Sequence, residues 1–123
     1  AFARAERFPT GCTVVQERPG RLADVVDPTT LDAAVIMSHH LENDSSYLGS
    51  LATFDIPYIG VLGPRARRLR LAHQAECPER QLFGPVGLDI GAELPASIAL
   101  AIAAEIHAVL NERDGRSLTE VEK

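Results

Sequence analysis

The chain has 123 residues, of which 46% are hydrophobic and 24% charged, and its formal net charge is −5. That length bounds it to one domain able to bury a core, and the acidic balance disfavours broad binding to nucleic acid or to an anionic membrane surface. No apolar run reaches bilayer-spanning length, the N-terminus does not read as a signal peptide, and Cys12 and Cys77 stand far apart without CxxC or Cys/His ligand spacing, so the expected setting is a reducing cytoplasm with two free thiols.

In chain order, Cys12-Thr13-Val14-Val15 is a short β-prone run, in which Cys12 is expected to be buried. Pro19 to Val26 reads as a helix with Leu22, Val25 and Val26 on one side. Ala33 to Met37 is continuously apolar, as a strand buried on both faces should be. Asp44 to Phe54 follows as a helix, with Asn43 or Asp44 as its N-cap and Tyr47, Leu48 and Leu51 on its apolar face. Tyr58 to Leu62 is the next strand. Pro64 suits the first turn of a helix running to about Ala75. Pro95 opens a last helix to about Glu112, in which Ile98, Ile102, Ile106 and Leu110 recur every four residues. Its apolar girth predicts packing against both a sheet and a neighbour. Residues 1–113 form the domain, and 114–123 a polar tail expected to fray. Strands alternating with helices at this spacing argue for βαβ units and a parallel sheet flanked by helices.

Between the last strand-like region and the last helix lies Gly84-Pro85-Val86-Gly87-Leu88-Asp89-Ile90-Gly91-Ala92. Glycine permits close backbone approach and proline fixes φ, so this loop is built to hold one shape. Asp89 within it either accepts the loop's own backbone N–H groups or faces a ligand.

Together with Glu93-Leu94-Pro95-Ala96-Ser97 and Ala104-Glu105-Ile106, that loop resembles the C-terminal signature of the XdhC/CoxI family, accessory factors of molybdenum hydroxylases. Val35-Ile36-Met37-Ser38-His39, with Glu42 and Asp44 beyond, resembles the family's strand ending in Met-Thr-His. Tyr58-Ile59-Gly60-Val61-Leu62-Gly63-Pro64-Arg65 resembles its Tyr-x-Gly-x-Leu-Gly-Ser-Arg turn. The three motifs stand in the family's order. The resemblance implies a Rossmann-like α/β domain lacking its first strands in this chain. Phe2 to Pro9 resembles the segment after the second strand, so the Gly-rich first turn is expected upstream. It further implies an accessory factor that binds a molybdopterin-type molybdenum cofactor and supports its sulfuration and insertion into a xanthine dehydrogenase-type apoenzyme. A cysteine desulfurase is then a candidate partner, and a homodimer the expected assembly. On the same scaffold the alternative is an NAD(P)-binding oxidoreductase or redox-sensing domain, and a third reading is a domain that only pairs with a partner or itself.

In a parallel sheet, ligands bind beyond the carboxyl ends of the strands. Ser38 and His39 follow one strand, Gly63, Pro64 and Arg65 the next, and Asp89 lies in a third loop expected at the same rim. Ser38 offers a hydroxyl; His39 donates, accepts or titrates, or else simply bonds a neighbouring backbone. His39 carries the family match and His40 does not. A metal site from His39, His40, Glu42 and Asp44 has suitable residue types but no diagnostic spacing. Arg65 and Arg68 share a helix face near free N–H groups that attract anions, whereas Arg67 and Arg70 read as solvated. The candidate cofactor-binding set is therefore Ser38, His39, Gly63, Arg65, Arg68, Gly87, Asp89 and Gly91. Pro64 replaces the family's Ser, which removes a hydroxyl and one N–H from any phosphate cradle. Leu94 replaces a capping Thr, which Ser97 offsets only in part. Cys77 follows Glu76 and lies near Arg80, a setting that does not activate a thiol for sulfur relay. No nucleophile and base stand in an order that defines a catalytic triad.

Overall fold

A computed structural model describes residues 9–17, 19–38 and 40–122. Its centre is a parallel pair, β1 (Ala33–Ile36) and β2 (Tyr58–Val61), in register from Ala33 opposite Tyr58 to Ile36 opposite Val61. A third parallel segment lies on the other side of β2. It is reduced to one bridge between Gly60 and Phe83, closed by Phe83 N–H to the Ile59 carbonyl at 2.9 Å and Val61 N–H to the Phe83 carbonyl at 2.8 Å. Three consecutive chain segments thus run the same way, and the loops that follow them all leave at the carboxyl edge.

Five helices surround this ribbon among the described residues: α1 (Leu22–Val25), α2 (Leu41–Leu51), α3 (Arg65–Gln74), α4 (Pro95–Leu110) and α5 (Leu118–Val121). Side chains alternate across β2, as a strand's period of two requires. Ile59 and Val61 join Ile36, Leu48, Leu51 and Leu71 in the core under α2 and α3. Tyr58 and Gly60 face the other way, toward α4 and the Gly-rich loop. The architecture is Rossmann-like: a parallel sheet with helices on both faces.

Several sequence expectations change. Cys12–Val15 forms no strand, and Cys12 is exposed rather than buried, because no neighbouring strand is there to pair with it among the described residues. The first helix divides into a 3-10 turn at Pro19–Arg21 and the short α1. Helix α2 starts three residues before Asp44, because the His40 side chain accepts the Asn43 N–H at 3.4 Å and takes the cap. At α4 the Leu94 side chain caps nothing. Ser97 Oγ accepts the Leu94 N–H at 3.2 Å and donates back to the Leu94 carbonyl at 3.0 Å. In the polar tail, α5 forms under a Ser117 cap, with Thr119 N–H to Ser117 Oγ at 3.2 Å.

The largest correction concerns α4. Its buried residues are Ala101 and Ala108, Leu100 is 62% exposed, and the N-cap Leu94 is 71% exposed. The most buried line is Ala101, Glu105 and Ala108, spaced i, i+4, i+7, and Ile98, Ile102 and Ile106 flank it half-buried. Small residues are required there because the Gly-rich loop lies directly on the helix: a methyl group added at Gly87, whose φ is +104°, would stand 3.0 Å from the Ala101 Cβ. Among the described residues α4 packs on β2 and the Gly-rich loop and leaves Leu100 and Leu110 exposed.

Gly60 in β2 leaves no room for a side chain. A methyl group there would fall 2.6 Å from Val86 Cγ1 and 2.8 Å from Tyr58 Cε1. Gly60→Ala forces either the loop or the tyrosine ring to move, and overpacking of this kind costs about 1–3 kcal/mol. Urea unfolding of Gly60→Ala is expected to show that loss, while alanine at Gly49, whose added methyl meets no atom within 4 Å, leaves the midpoint unchanged or raised.

Candidate functional site

Helix α2 begins right after the β1 edge, which places Asp44 in its first turn with no solvent exposure at all. A buried carboxylate must be paired and hydrogen-bonded. Asp44 Oδ1 accepts the Ser38 hydroxyl and, at 3.3 Å, the Ser38 N–H; Oδ2 meets Nη2 of Arg67. Arg67 Nη1 in turn donates to the Leu62 carbonyl at 3.1 Å. One ion pair thereby joins the loop after β1, the start of α2, helix α3 and the loop after β2. The favourable field at the α2 N-terminus acts in the same direction. The sequence pattern assigns Asp44 to a cap and Arg67 to a solvated face; the structure replaces both assignments with a buried ion pair, since α2 starts early enough to turn Asp44 inward.

The Gly-rich loop is held by a second carboxylate. Glu105 Oε1 accepts the Tyr58 hydroxyl at 2.6 Å and the Gly87 N–H at 3.0 Å, and the Leu88 N–H reaches the Ala101 carbonyl at 3.1 Å. Tyr58 is fully buried and stacks on Phe83 with ring centroids 4.5 Å apart. Burial, and then the adjacent Glu105 carboxylate, push the Tyr58 hydroxyl far above its ordinary range. The sequence pattern places Glu105 in a motif but gives it no role. The available signal is its position as the single carboxylate in the largely apolar run from Pro95 to Leu110.

Asp89 does not perform the loop-holding role. It is exposed and bonds no described residue, and the carboxylate that accepts the loop's N–H is Glu105. With Gly87 and Gly91 it lines an open cleft of about 370 Å³ whose other walls are Pro85, Val86, Leu88, Ile90, Ala92, Ile98 and Ala101. Ser38, Gly63 and Arg65 stand outside that lining, so the expected single pocket becomes two parts of one edge. Arg65 is exposed in the first turn of α3. Arg68 joins the two parts: a methyl group at Gly84, where the loop begins, would lie 3.1 Å from its Cβ. Its Nε is buried and has no hydrogen-bond partner among the described residues. His39 lies outside the described residues.

For a metal ion the residues offer little. Both Asp44 oxygens are engaged, His40 Nδ1 accepts the Asn43 N–H, and no group of three or more His, Cys, Asp or Glu gathers among the described residues. Cys77 is buried, and burial pushes its thiol up, away from the thiolate a sulfur relay needs. No helix among the described residues is long and apolar enough to cross a membrane.

Residues 1–106 match the family described as the XdhC Rossmann domain. The chain is 33% identical over 106 residues to a probable xanthine dehydrogenase subunit of Bacillus subtilis (strain 168), covering 86% of this chain and 32% of that protein. It is 31% identical over 117 residues to protein YqeB of Escherichia coli (strain K12), covering 89% of this chain and 21% of that one. Among solved structures, a xanthine dehydrogenase from Bacillus halodurans superposes with a TM-score of 0.69 at 32% identity, over 81% of this chain and 30% of that chain. The chain thus spans a third or less of the length of these proteins.

Two outcomes follow from the carboxylates. Asp44→Asn leaves Arg67 without its anion, at a cost of about 3 kcal/mol, the lower end for a broken buried pair because the Arg67 side chain keeps 20% of its surface in water. In urea unfolding, Arg67→Lys, which retains the charge, should cost less; equal losses would show that the guanidinium contact to Leu62 matters more than the charge. Tyr58 has a raised folded pKa, so its contribution is complete below the unfolded value near 10 and is lost as pH rises beyond it. Tyr58→Phe should therefore destabilise at pH 8, and the difference from the parent should narrow between about pH 10 and pH 11. A difference independent of pH would contradict the Tyr58–Glu105 assignment.

Proposed function

This chain belongs to the XdhC family, through its Rossmann domain, and on that premise we propose that it is part of an accessory factor for a xanthine dehydrogenase-type molybdenum hydroxylase. In this reading it binds a molybdopterin-type molybdenum cofactor, supports its sulfuration, and delivers it to the apoenzyme. The observation that carries the proposal is the buried Nε of Arg68 at the start of the Gly-rich loop, which has no hydrogen-bond partner among the described residues. A buried donor needs an acceptor, and the neighbouring cavity falls within the size range of small-molecule sites. A ligand with an anionic phosphate and a compact ring meets both demands, so the residues fit the cofactor.

Arg65 and Arg68 would hold the phosphate, with Gly63 admitting it to the backbone. Ser38 and His39 would border it from the β1 side, and the loop from Gly87 to Gly91 would enclose the ring. The bound group supplies redox-active molybdenum to the hydroxylase; this chain's residues bind it, orient it and keep water from it. Ser38 already donates to a carboxylate committed to Arg67. A carrier role demands only such anchors and a shaped cleft, whereas turnover demands a base in register with a nucleophile. The exposed apolar side chains of α4 support assembly as a homodimer or contact with the apoenzyme, and a cysteine desulfurase would meet the same factor to supply sulfur.

The test uses the full-length protein purified from a host that makes molybdopterin. Its bound small molecule should be a phosphorylated pterin. Arg65→Ala, and more severely His39→Ala, should lower both cofactor retention and activation of the apoenzyme without unfolding the protein. Steady hydride transfer with a nicotinamide cofactor, lost in His39→Ala, would overturn the proposal in favour of an oxidoreductase.

A further inference from the structure

The cavity beside the Gly-rich loop has an unusual chemical balance. Its walls include Pro85, Leu88, Ile90, Ile98 and Ala101, and Asp89 is the single ionisable residue that lines it. The basic residues Arg65 and Arg68 are not part of its lining, and the Arg68 side chain packs against Gly84, where the loop begins. Asp89 makes no hydrogen bond among the described residues, and Gly87 and Leu88 are held without it, by Glu105 and the Ala101 carbonyl. An ionised carboxylate only accepts, through two oxygens. Beside apolar walls it suits a flat heterocycle that offers two adjacent N–H donors, and it repels phosphate.

We propose that Asp89 is the ring-recognition residue of this site, accepting the paired N–H groups of a 2-amino-4-oxo pyrimidine edge, the edge shared by pterins and guanine. The assignment rests on the cofactor-binding reading and adds to it the direction in which the ligand lies: phosphate toward Arg65 and Arg68, ring toward Asp89. It also supplies discrimination. The hydrogen-bonding edge of adenine places a ring nitrogen acceptor beside its amino donor, so a carboxylate gains one bond there and faces a lone pair at the other oxygen. A nicotinamide dinucleotide therefore lacks the edge that Asp89 reads.

The experiment measures binding of three probes to the full-length protein by calorimetry: a phosphate-free reduced pterin, adenosine, and inorganic phosphate. Wild type is expected to bind the pterin and to bind adenosine at least about 10-fold more weakly, the scale of one bidentate contact. Asp89→Asn should lose about 10-fold or more for the pterin and leave phosphate binding unchanged. The unfolding midpoint should not move, because Asp89 is exposed and bonds no described residue. Equal pterin affinity in wild type and Asp89→Asn, or adenosine bound as tightly as pterin, would overturn the assignment. Molybdopterin content of the purified proteins separates the two readings. Absence from wild type counts against the cofactor reading, whereas wild-type content in Asp89→Asn counts against the Asp89 assignment alone.

Discussion

The carboxyl edge of this domain is organised around the ion pair between Asp44 and Arg67. Two loops that leave parallel neighbouring strands have no backbone ladder to fix their separation beyond the last strand bond, here Leu62 N–H to the Ile36 carbonyl at 3.0 Å. The pair continues the connection where the ladder stops. Asp44 takes Ser38 from one loop, and Arg67 takes the Leu62 carbonyl from the other. Because Asp44 has no exposure to water, neither partner can leave without stranding the other. The spacing of the two loops is consequently set by a charge pair and is closely linked to how α2 and α3 pack, since each helix contributes one of the charges.

Glu105 has the same logic on the opposite face of the sheet. It ties a strand residue, Tyr58, to a loop residue, Gly87, from a helix that touches both. The buried Asp44 and half-buried Glu105 hold the scaffold, whereas the exposed Asp89 bonds no described residue. Both Asp44 oxygens are engaged, and Glu105 commits Oε1 to the Tyr58 hydroxyl and the Gly87 N–H. Sorting acids by what already occupies them separates scaffold from candidate site more clearly than their positions in motifs do.

Much of the fold was legible. The apolar runs at Ala33 and Tyr58 marked both strands, and the Pro64 and Pro95 signals located α3 and α4 within a residue or two. Local chemistry decides such features, so local reading finds them. The misreadings share one cause. Asp44 and Arg67 pair across 23 residues and Glu105 meets Tyr58 across 47, and a charge is assigned to water by default when its partner is not visible. The α4 face was misread for a related reason. Periodicity favours the bulky isoleucines, but the inward side had to be alanine because Gly87 and Leu88 occupy the space that larger side chains would need. The sequence groups the candidate ligand residues at one rim, while only Gly87, Asp89 and Gly91 of them line the cavity, a division that depends on where the loop lies on the helix.

That placement of the loop bears on the entropy of capture. Fixing a residue's backbone costs roughly 1–2 kcal/mol of conformational entropy, and a glycine-rich loop starts with more freedom than most. At Gly87 and Leu88 the cost is met during folding, by Glu105 and by the Ala101 carbonyl. From Asp89 to Ala92 no such bond exists among the described residues, so hydrogen bonding meets none of that cost in advance there. For the ligand proposed above, the Gly87–Leu88 half would offer a wall already fixed, and the ordering cost of binding would fall on the other half.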